Sequence, residues 1–346
     1  MSTTIMTTTV DEQEQAKLLS ATVDDFFLRT GLTVQDRVKC FAFVEALSPD
    51  EKIELTTCQG YCSMTLSVGQ NTIIQFRPAC YRLELSITRC AEQTYGPFVP
   101  STRHIETLPG SELLVYRMSR IPGISYKTFR DNGASLEQRI RLCEGFASFL
   151  AKAWHTRNSD NVPYGKIGIS IVSRLKCLIA DLPARLQPNA KRILRELHHI
   201  EGLPWVLSHG DIVASNIMVE PTSGELTGMV DWAEAEYLPF GVCIYGLEEI
   251  LGQITPRGFE YEDEAILREA FWGVLESKIP ALKDRNLLRA VKLARDLGVL
   301  LWHGIAFDDG KIDRVVQEGK DMDEIHRLDA FLDVNPSEHT ESKCKI

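Results

Sequence analysis

The stretch His209-Gly210-Asp211-Ile212-Val213-Ala214-Ser215-Asn216, followed fifteen residues after the asparagine by Asp231-Trp232, decides how this chain is read. Apolar Trp205-Val206-Leu207 leads into it, Ile217-Met218-Val219 leads out, and Gly224 turns the chain towards Met229-Val230. Short buried strands therefore brace a polar loop and a polar turn just past a hairpin. Two carboxylates and a carboxamide at this spacing suit a held Mg²⁺, a small hard ion that favours oxygen ligands. They also suit phosphoryl transfer, whose loose transition state asks the protein mainly to position the acceptor and neutralise phosphate charge. Single Asp and Asn residues are common in turns, so His-Gly-Asp alone reads equally as a turn and Asp231 as a strand-end cap. The joint spacing, together with the features upstream, favours chemistry.

Composition narrows the field. At 346 residues the chain is long enough for two lobes with substantial cores. Its 44% apolar and 25% charged residues are those of a globular protein. A formal charge of −10 argues against a nucleic-acid partner, which needs a basic footprint. No apolar run approaches the roughly 20 residues of a membrane span, and the Thr-rich start lacks the basic and apolar regions of a signal peptide. A cytoplasmic protein with no membrane partner is expected. The nine cysteines are scattered among apolar neighbours and read as reduced core thiols. Cys58 and Cys62 have the spacing of a metal pair, but no second pair or nearby histidine completes a zinc site.

Along the chain, residues 1–20 and 335–346 are polar without periodicity and are expected to be disordered tails. Val23 to Arg29 reads as a short amphipathic helix. From Ile53 the pattern turns to strands: Ile53 to Thr57, Met64 to Val68 and Thr72 to Arg77, with turns at Gly60 and Gly69. A helix over Tyr81–Thr94 and a strand over Leu113–Met118 complete a small lobe, residues 21–120, built on a mixed sheet. Pro122-Gly123 marks a hinge, and residues 121–334 form a mostly helical lobe. Ser135 precedes a helix over Leu136–His155, whose Ile140, Cys143, Phe146, Ala147, Leu150 and Trp154 step by threes and fours. A long helical stretch is expected after Gly252, including Ala265–Glu276 and Leu287–Gly304. There is no internal repeat and no Gly/Ser linker.

The loop from His209 to Asn216 with Asp231 resembles the catalytic loop of aminoglycoside phosphotransferases and the related choline and small-molecule kinases. The resemblance implies an α+β, two-lobed protein-kinase-like fold with a small β-rich N-lobe and a larger helical C-lobe. It further implies that Asp211 orients and finally deprotonates the acceptor, and that Asn216 and Asp231 ligate Mg²⁺. His209 reads as a loop brace. The nucleotide is ATP or another nucleoside triphosphate, and the second partner is a small-molecule acceptor.

Kinase-like folds place a loop over the nucleotide phosphates where this chain has Cys58-Gln59-Gly60-Tyr61-Cys62-Ser63. Ser63 is the expected side-chain donor there, although one glycine between strands equally makes a plain hairpin. The third strand should carry a phosphate-binding cation held by a helix glutamate. The chain offers Arg77 in place of the usual lysine, a change that is not conservative, with Glu84 as partner and Glu92 as the alternative. A surface Arg–Glu pair is the plain reading. A second departure follows Asp231: the segment from Ala233 to Glu249 has no aspartate where many family members use one to brace the catalytic loop. From about residue 50 to 332 the chain resembles a branch of this family abundant in filamentous fungi.

The leading expectation is a Mg²⁺- and nucleotide-dependent kinase acting on a hydroxyl or amine of a metabolite, more in keeping with secondary metabolism than with antibiotic resistance. Two alternatives stay open: a kinase-like binding module that has lost phosphotransfer, and a kinase fold recruited to a non-kinase reaction on a natural-product intermediate. Glu234, Glu236, Glu248 and Glu249 are either amine-attracting groups or salt-bridge partners. Tyr237, Phe240, Tyr245, Trp272 and Trp302 are either pocket lining or core.

Overall fold

The computed structural model describes residues 19–156, 165–308 and 311–334. The expected tails therefore lie outside the described residues, except that residues 19 and 20 already belong to a helix. The chain divides into two compact units, Met1–Glu92 with Val99–Ile121, and Gln93–Phe98 with Pro122–Ile346.

The first unit opens with α1, helical from 19 to 29, and α2 (Val34–Leu47). Thr33 starts α2 through a capping box with Asp36, each side chain satisfying the other's otherwise unpaired amide. Five strands follow: β1 (Ile53–Leu55), β2 (Met64–Val68), β3 (Thr72–Arg77), β4 (Thr102–Thr107) and β5 (Leu114–Ser119). They lie in the order β1-β2-β3-β5-β4. Every pairing is antiparallel, so the expected mixed sheet is corrected. Strand alternation sends Met64, Leu66 and Val68 to one face. There they join Ile74, Phe76 and Val115 in a core closed by Phe26, Phe27, Cys40 and Val44 from the two helices. Between β3 and β4 comes α3 (Leu85–Tyr95), which starts four residues later than the sequence suggests because a 3-10 turn, Ala79–Tyr81, intervenes.

In the second unit, β6 (Ile124–Ser125), α4 (Tyr126–Asp131) and α5 (Leu136–His155) come first. Gly123 sits at φ +103°, and a Cβ there would lie 2.2 Å from the Val219 carbonyl oxygen, so only glycine allows this approach. Helix α5 runs between the boundaries its sequence announces, with Ser135 and Gln138 forming its capping box. Helices α6 (Ile171–Asp181) and α7 (Gln187–Glu201) precede four strands, β7 (Trp205–Ser208), β8 (Ile217–Val219), β9 (Leu226–Met229) and β10 (Glu236–Pro239). β7 pairs antiparallel with β10, and β6, β8 and β9 form a second ladder. After α8 (Gly246–Leu251) the chain makes a hairpin, Gly252–Thr255 with Gly258–Tyr261, where continuous helix was expected. Then come α9 (Glu264–Lys278), α10 (Arg285–His303), a second hairpin, and α11 (Met322–Phe331). Phe146 of α5 meets Phe271 of α9 at 5.9 Å between ring centroids.

Candidate active site

Two ladders position the polar loop. β7 delivers the chain at Ser208, paired with Glu236, and β8 receives it at Ile217, paired with Met229. Asp231 lies on the link between the two partner strands, so the loop and the Asp231 turn are bound to neighbouring strands at each end. The Val230 amide donates to the Asn216 carbonyl at 2.9 Å, which leaves Asp231 one residue beyond the strand pairing. Asp231 takes φ +61°, one of three non-glycine residues with positive φ among those described. This conformation is uncommon but better tolerated by Asp than by most residues.

Within the loop, Asp211 is gripped through its own peptide. Its amide donates to His209 Nδ1 at 3.2 Å. Asn216 Nδ2 donates to both its carbonyl oxygen and its Oδ2, each at 3.0 Å. Because Nδ1 of His209 accepts, Nε2 carries the ring proton and donates to the Val230 carbonyl at 2.9 Å. His209 is buried, with its ring 4.6 Å from that of Trp232, and burial brings its pKa down to about 4. It is a neutral strut at ordinary pH.

Asp211 is pushed the other way. Burial raises its carboxyl pKa to about 7; the Asp231 carboxylate adds to the rise, the Asn216 amide opposes it, and Glu234 and Glu249 contribute further. A carboxyl near neutrality beside an exposed carboxylate is what a group that must accept a proton requires.

The oxygen donors fit a hard divalent cation. Asn216 commits its side-chain nitrogen to Asp211, which leaves its side-chain oxygen Oδ1 for a ligand, and Asp231 adds a carboxylate one residue past Val230, whose amide pairs with the Asn216 main-chain carbonyl. Among the described residues no group of three or more His, Cys, Asp or Glu gathers to hold a metal. That is compatible with Mg²⁺, which takes one or two protein carboxylates and fills its shell with water and phosphate oxygens.

The other acidic candidates separate cleanly. Glu248 is buried and bidentate with Arg268 at 2.7 and 2.6 Å, and also accepts from the Tyr261 hydroxyl. Glu249 is buried and paired with Arg327 at 3.1 Å. Glu236 accepts the amides of Ile167 and Gly168. Only Glu234 of the four is exposed. Phe240 and Tyr245 are core residues, whereas Tyr237, Trp272 and Trp302 are half-buried.

In the first unit, Arg77 ends β3 almost fully buried, its Nε donating to Gln75 Oε1 at 2.7 Å and its Nη1 to the Tyr81 carbonyl at 3.3 Å. The expected pairing with Glu84 is corrected. Glu84 is exposed and its carboxylate accepts from the Ser86 amide and hydroxyl at the start of α3. The intervening 3-10 turn is the reason, since it delays the helix and leaves Glu84 in a capping place. Glu92, the alternative, accepts the Thr102 amide at 3.0 Å. Ser63 is buried beneath its loop, its hydroxyl 3.6 Å from where a Gly60 Cβ would stand. Sequence reasoning missed Gln59, whose carboxamide ties Thr56 to Thr65 by donating to the Thr56 and Thr65 carbonyls and accepting the Thr65 amide. All eight cysteines among the described residues are free thiols.

The small antiparallel-sheet unit and the mainly helical unit that carries this loop make up a kinase-like α+β fold. Residues 87–242 match the model described as the phosphotransferase enzyme family, abbreviated APH. Solved structures agree on the fold. A point mutant of aminoglycoside 2'-phosphotransferase-IIIa, in complex with GDP, is 14% identical; the similarity covers 77% of this chain and 89% of that one, with a TM-score of 0.54. A phosphotransferase of the APH(2") type, solved with GDP and kanamycin, is 13% identical over 76% of this chain and 90% of that one, with a TM-score of 0.53. No curated protein matches the sequence. No helix among the described residues is long and apolar enough to cross a membrane.

Proposed function

We propose that this chain is a Mg²⁺-dependent small-molecule kinase that transfers the γ-phosphate of ATP, or of another nucleoside triphosphate, to a hydroxyl or amine of a metabolite. The observation that carries this reading is Asp211 itself: held at its amide, carbonyl and carboxylate, and brought to a pKa of about 7. Asp211 orients the acceptor and takes its proton as the bond to phosphorus forms. Asn216, through its side-chain oxygen Oδ1, and Asp231 would hold Mg²⁺, which would offset the charge of the phosphate oxygens. In the first unit, Arg77 is proposed as the cation for the nucleotide phosphates and Ser63 as a donor in the phosphate loop.

One observation favours a second reading. Glu84 accepts from Ser86 and Glu92 from the Thr102 amide, so Arg77, which already stands where lysine is usual, is not placed by the expected helix glutamate, a departure also found in a nucleotide-binding module that has lost transfer. Calorimetry with ATP and GTP, with and without Mg²⁺, tests binding. A screen of hydroxylated and amine-bearing metabolites by mass spectrometry, with ADP or GDP measured alongside, tests transfer. Phosphorylated product is expected; tight Mg²⁺-dependent nucleotide binding without product supports the second reading, and no nucleotide binding sinks both.

A further inference from the structure

We propose that Tyr245 is a positioning residue for Asp211, acting through the main-chain amide that follows it. The Ile212 amide donates to the Tyr245 phenol oxygen at 2.8 Å, a contact spanning 33 positions of sequence. Tyr245 is buried, stacked on Trp302 at 5.4 Å and 14° and edge-on to His303 at 6.0 Å and 87°. Its burial keeps it a neutral phenol.

The turn that carries it is itself anchored. Tyr245 ends the 3-10 turn Val242–Tyr245, which packs on α10. A Cβ on Gly298 of α10 would stand 2.0 Å from the Val242 carbonyl oxygen, and one on Gly246 would stand 2.2 Å from Ile212 Cγ2. Backbone thus approaches helix on one side of the turn and loop on the other, with no room for a larger residue. Two successive amides, those of Asp211 and Ile212, are therefore received by side chains: one by His209 Nδ1 and one by Tyr245. The sequence has no aspartate in this segment, and a phenol supplies the acceptor.

The physical consequence is directional. The peptide between Asp211 and Ile212 sets where the Asp211 side chain leaves the main chain, and a misplacement of about 1 Å at a reacting group costs roughly a hundredfold in rate. Tyr245→Phe removes one oxygen and keeps the ring stack, so it isolates the hydrogen bond from the packing.

Hydrogen exchange reads the contact without any reaction. In Tyr245→Phe the Ile212 amide should exchange at least about tenfold faster, while amides of α5 keep their wild-type rates. Unchanged exchange at Ile212, or a uniform increase through the whole unit, overturns the proposal. Should the variant fail to fold, the wild-type protein decides: an Ile212 amide protected at least about tenfold against a free peptide supports the contact, and exchange at the free-peptide rate overturns it. A second arm, which rests on the kinase reading, predicts kcat lowered about ten- to a hundredfold with the nucleotide KM within about twofold; a changed KM with unchanged kcat overturns positioning. Wild-type protein that shows the exchange result but never phosphorylates an acceptor refutes the kinase reading and leaves the brace standing.

Discussion

His209 joins the Asp211 loop to the Asp231 turn: its Nε2 donates to the Val230 carbonyl at 2.9 Å while its Nδ1 accepts the Asp211 amide at 3.2 Å. One neutral imidazole thereby fixes the spacing of the two carboxylates on which the proposed chemistry depends. The arrangement works only for the tautomer protonated at Nε2, because a doubly protonated ring would turn a donor towards a donor.

That requirement sets a pH dependence. The pKa of His209 is about 4 in the folded protein against 6.5 in the ordinary state. Below pH 6.5 the unfolded chain binds a proton that the native state refuses, so this group's contribution to stability falls with pH and levels off near pH 4. Each unit is worth about 1.4 kcal/mol, giving about 3 kcal/mol in all. The unfolding free energies of wild type and His209→Gln, measured in urea at pH 7.5 and pH 4.5, should converge by about 2–3 kcal/mol as pH falls. A difference independent of pH would contradict the neutral-strut assignment.

Asp211 titrates with the opposite sign. Its pKa is about 7 folded and 3.8 in the ordinary state, so between those values the native state holds a proton that the unfolded chain has lost. Ionisation costs the native state most above pH 7, and that cost disappears as pH falls towards 4. Asp211→Asn keeps an acceptor for Asn216 and removes the charge. It should raise the unfolding free energy at pH 8 by about 1–4 kcal/mol, with the gain shrinking towards zero at pH 4. A variant less stable than wild type at pH 8 would show that the carboxylate is not under strain.

How much of this could be read beforehand depended on the distance in sequence between the residues concerned. The α5 helix was legible at both ends because Ser135 and Gln138 announce their capping box and the apolar steps persist for 20 residues. The β4 strand was not, because Thr102–Thr107 is a sheet-edge strand whose residues are all exposed or half-buried, leaving no alternation to detect. The hairpin from Gly252 to Tyr261 was hidden for the opposite reason, being too short to break an apparent helical run. At the candidate site, Asp211, Asn216 and Asp231 fall within one short stretch, and their nearness in space was legible there. Tyr245 gave no such signal, since a phenol in an apolar segment reads as core, and only folding brings it to the loop. Glu84 was misread because three residues of 3-10 turn shift a helix start without altering its composition.

Gly210 offers a test of the loop's main chain. It adopts φ +79°, and a Cβ there would stand 2.1 Å from the Glu234 carbonyl oxygen, a backbone atom that cannot swing aside. Gly210→Ala should therefore cost at least about 2 kcal/mol, combining left-handed strain with overpacking. Gly133→Ala is a control for conformation alone, since φ there is +86° and nothing lies within 4 Å; its cost should be about 1 kcal/mol. Equal losses in thermal unfolding would mean that the Gly210 approach carries no penalty of its own.

The two carboxylates should separate when nucleotide binding is measured. Asp231 is exposed and lies one residue past the pairing of Val230 with Asn216, where it would share the cation with the Asn216 side-chain oxygen Oδ1. Asp211 has its Oδ2 tied to Asn216 and stands nearer neutrality, which suits the acceptor proton better than a permanent metal bond. Asp231→Asn should weaken nucleotide binding in the presence of Mg²⁺ by about tenfold or more, the range found when a charged partner of a bound group is lost, and should reduce the gain that Mg²⁺ brings. Asp211→Asn should leave nucleotide affinity within about threefold while abolishing transfer by about a hundredfold or more, as expected for loss of a general base. Calorimetric titrations of ATP at fixed Mg²⁺ and without it give the affinities, and phosphorylated product gives the rate. If Asp211→Asn lost Mg²⁺-dependent binding and Asp231→Asn kept it, the two roles would have to be exchanged.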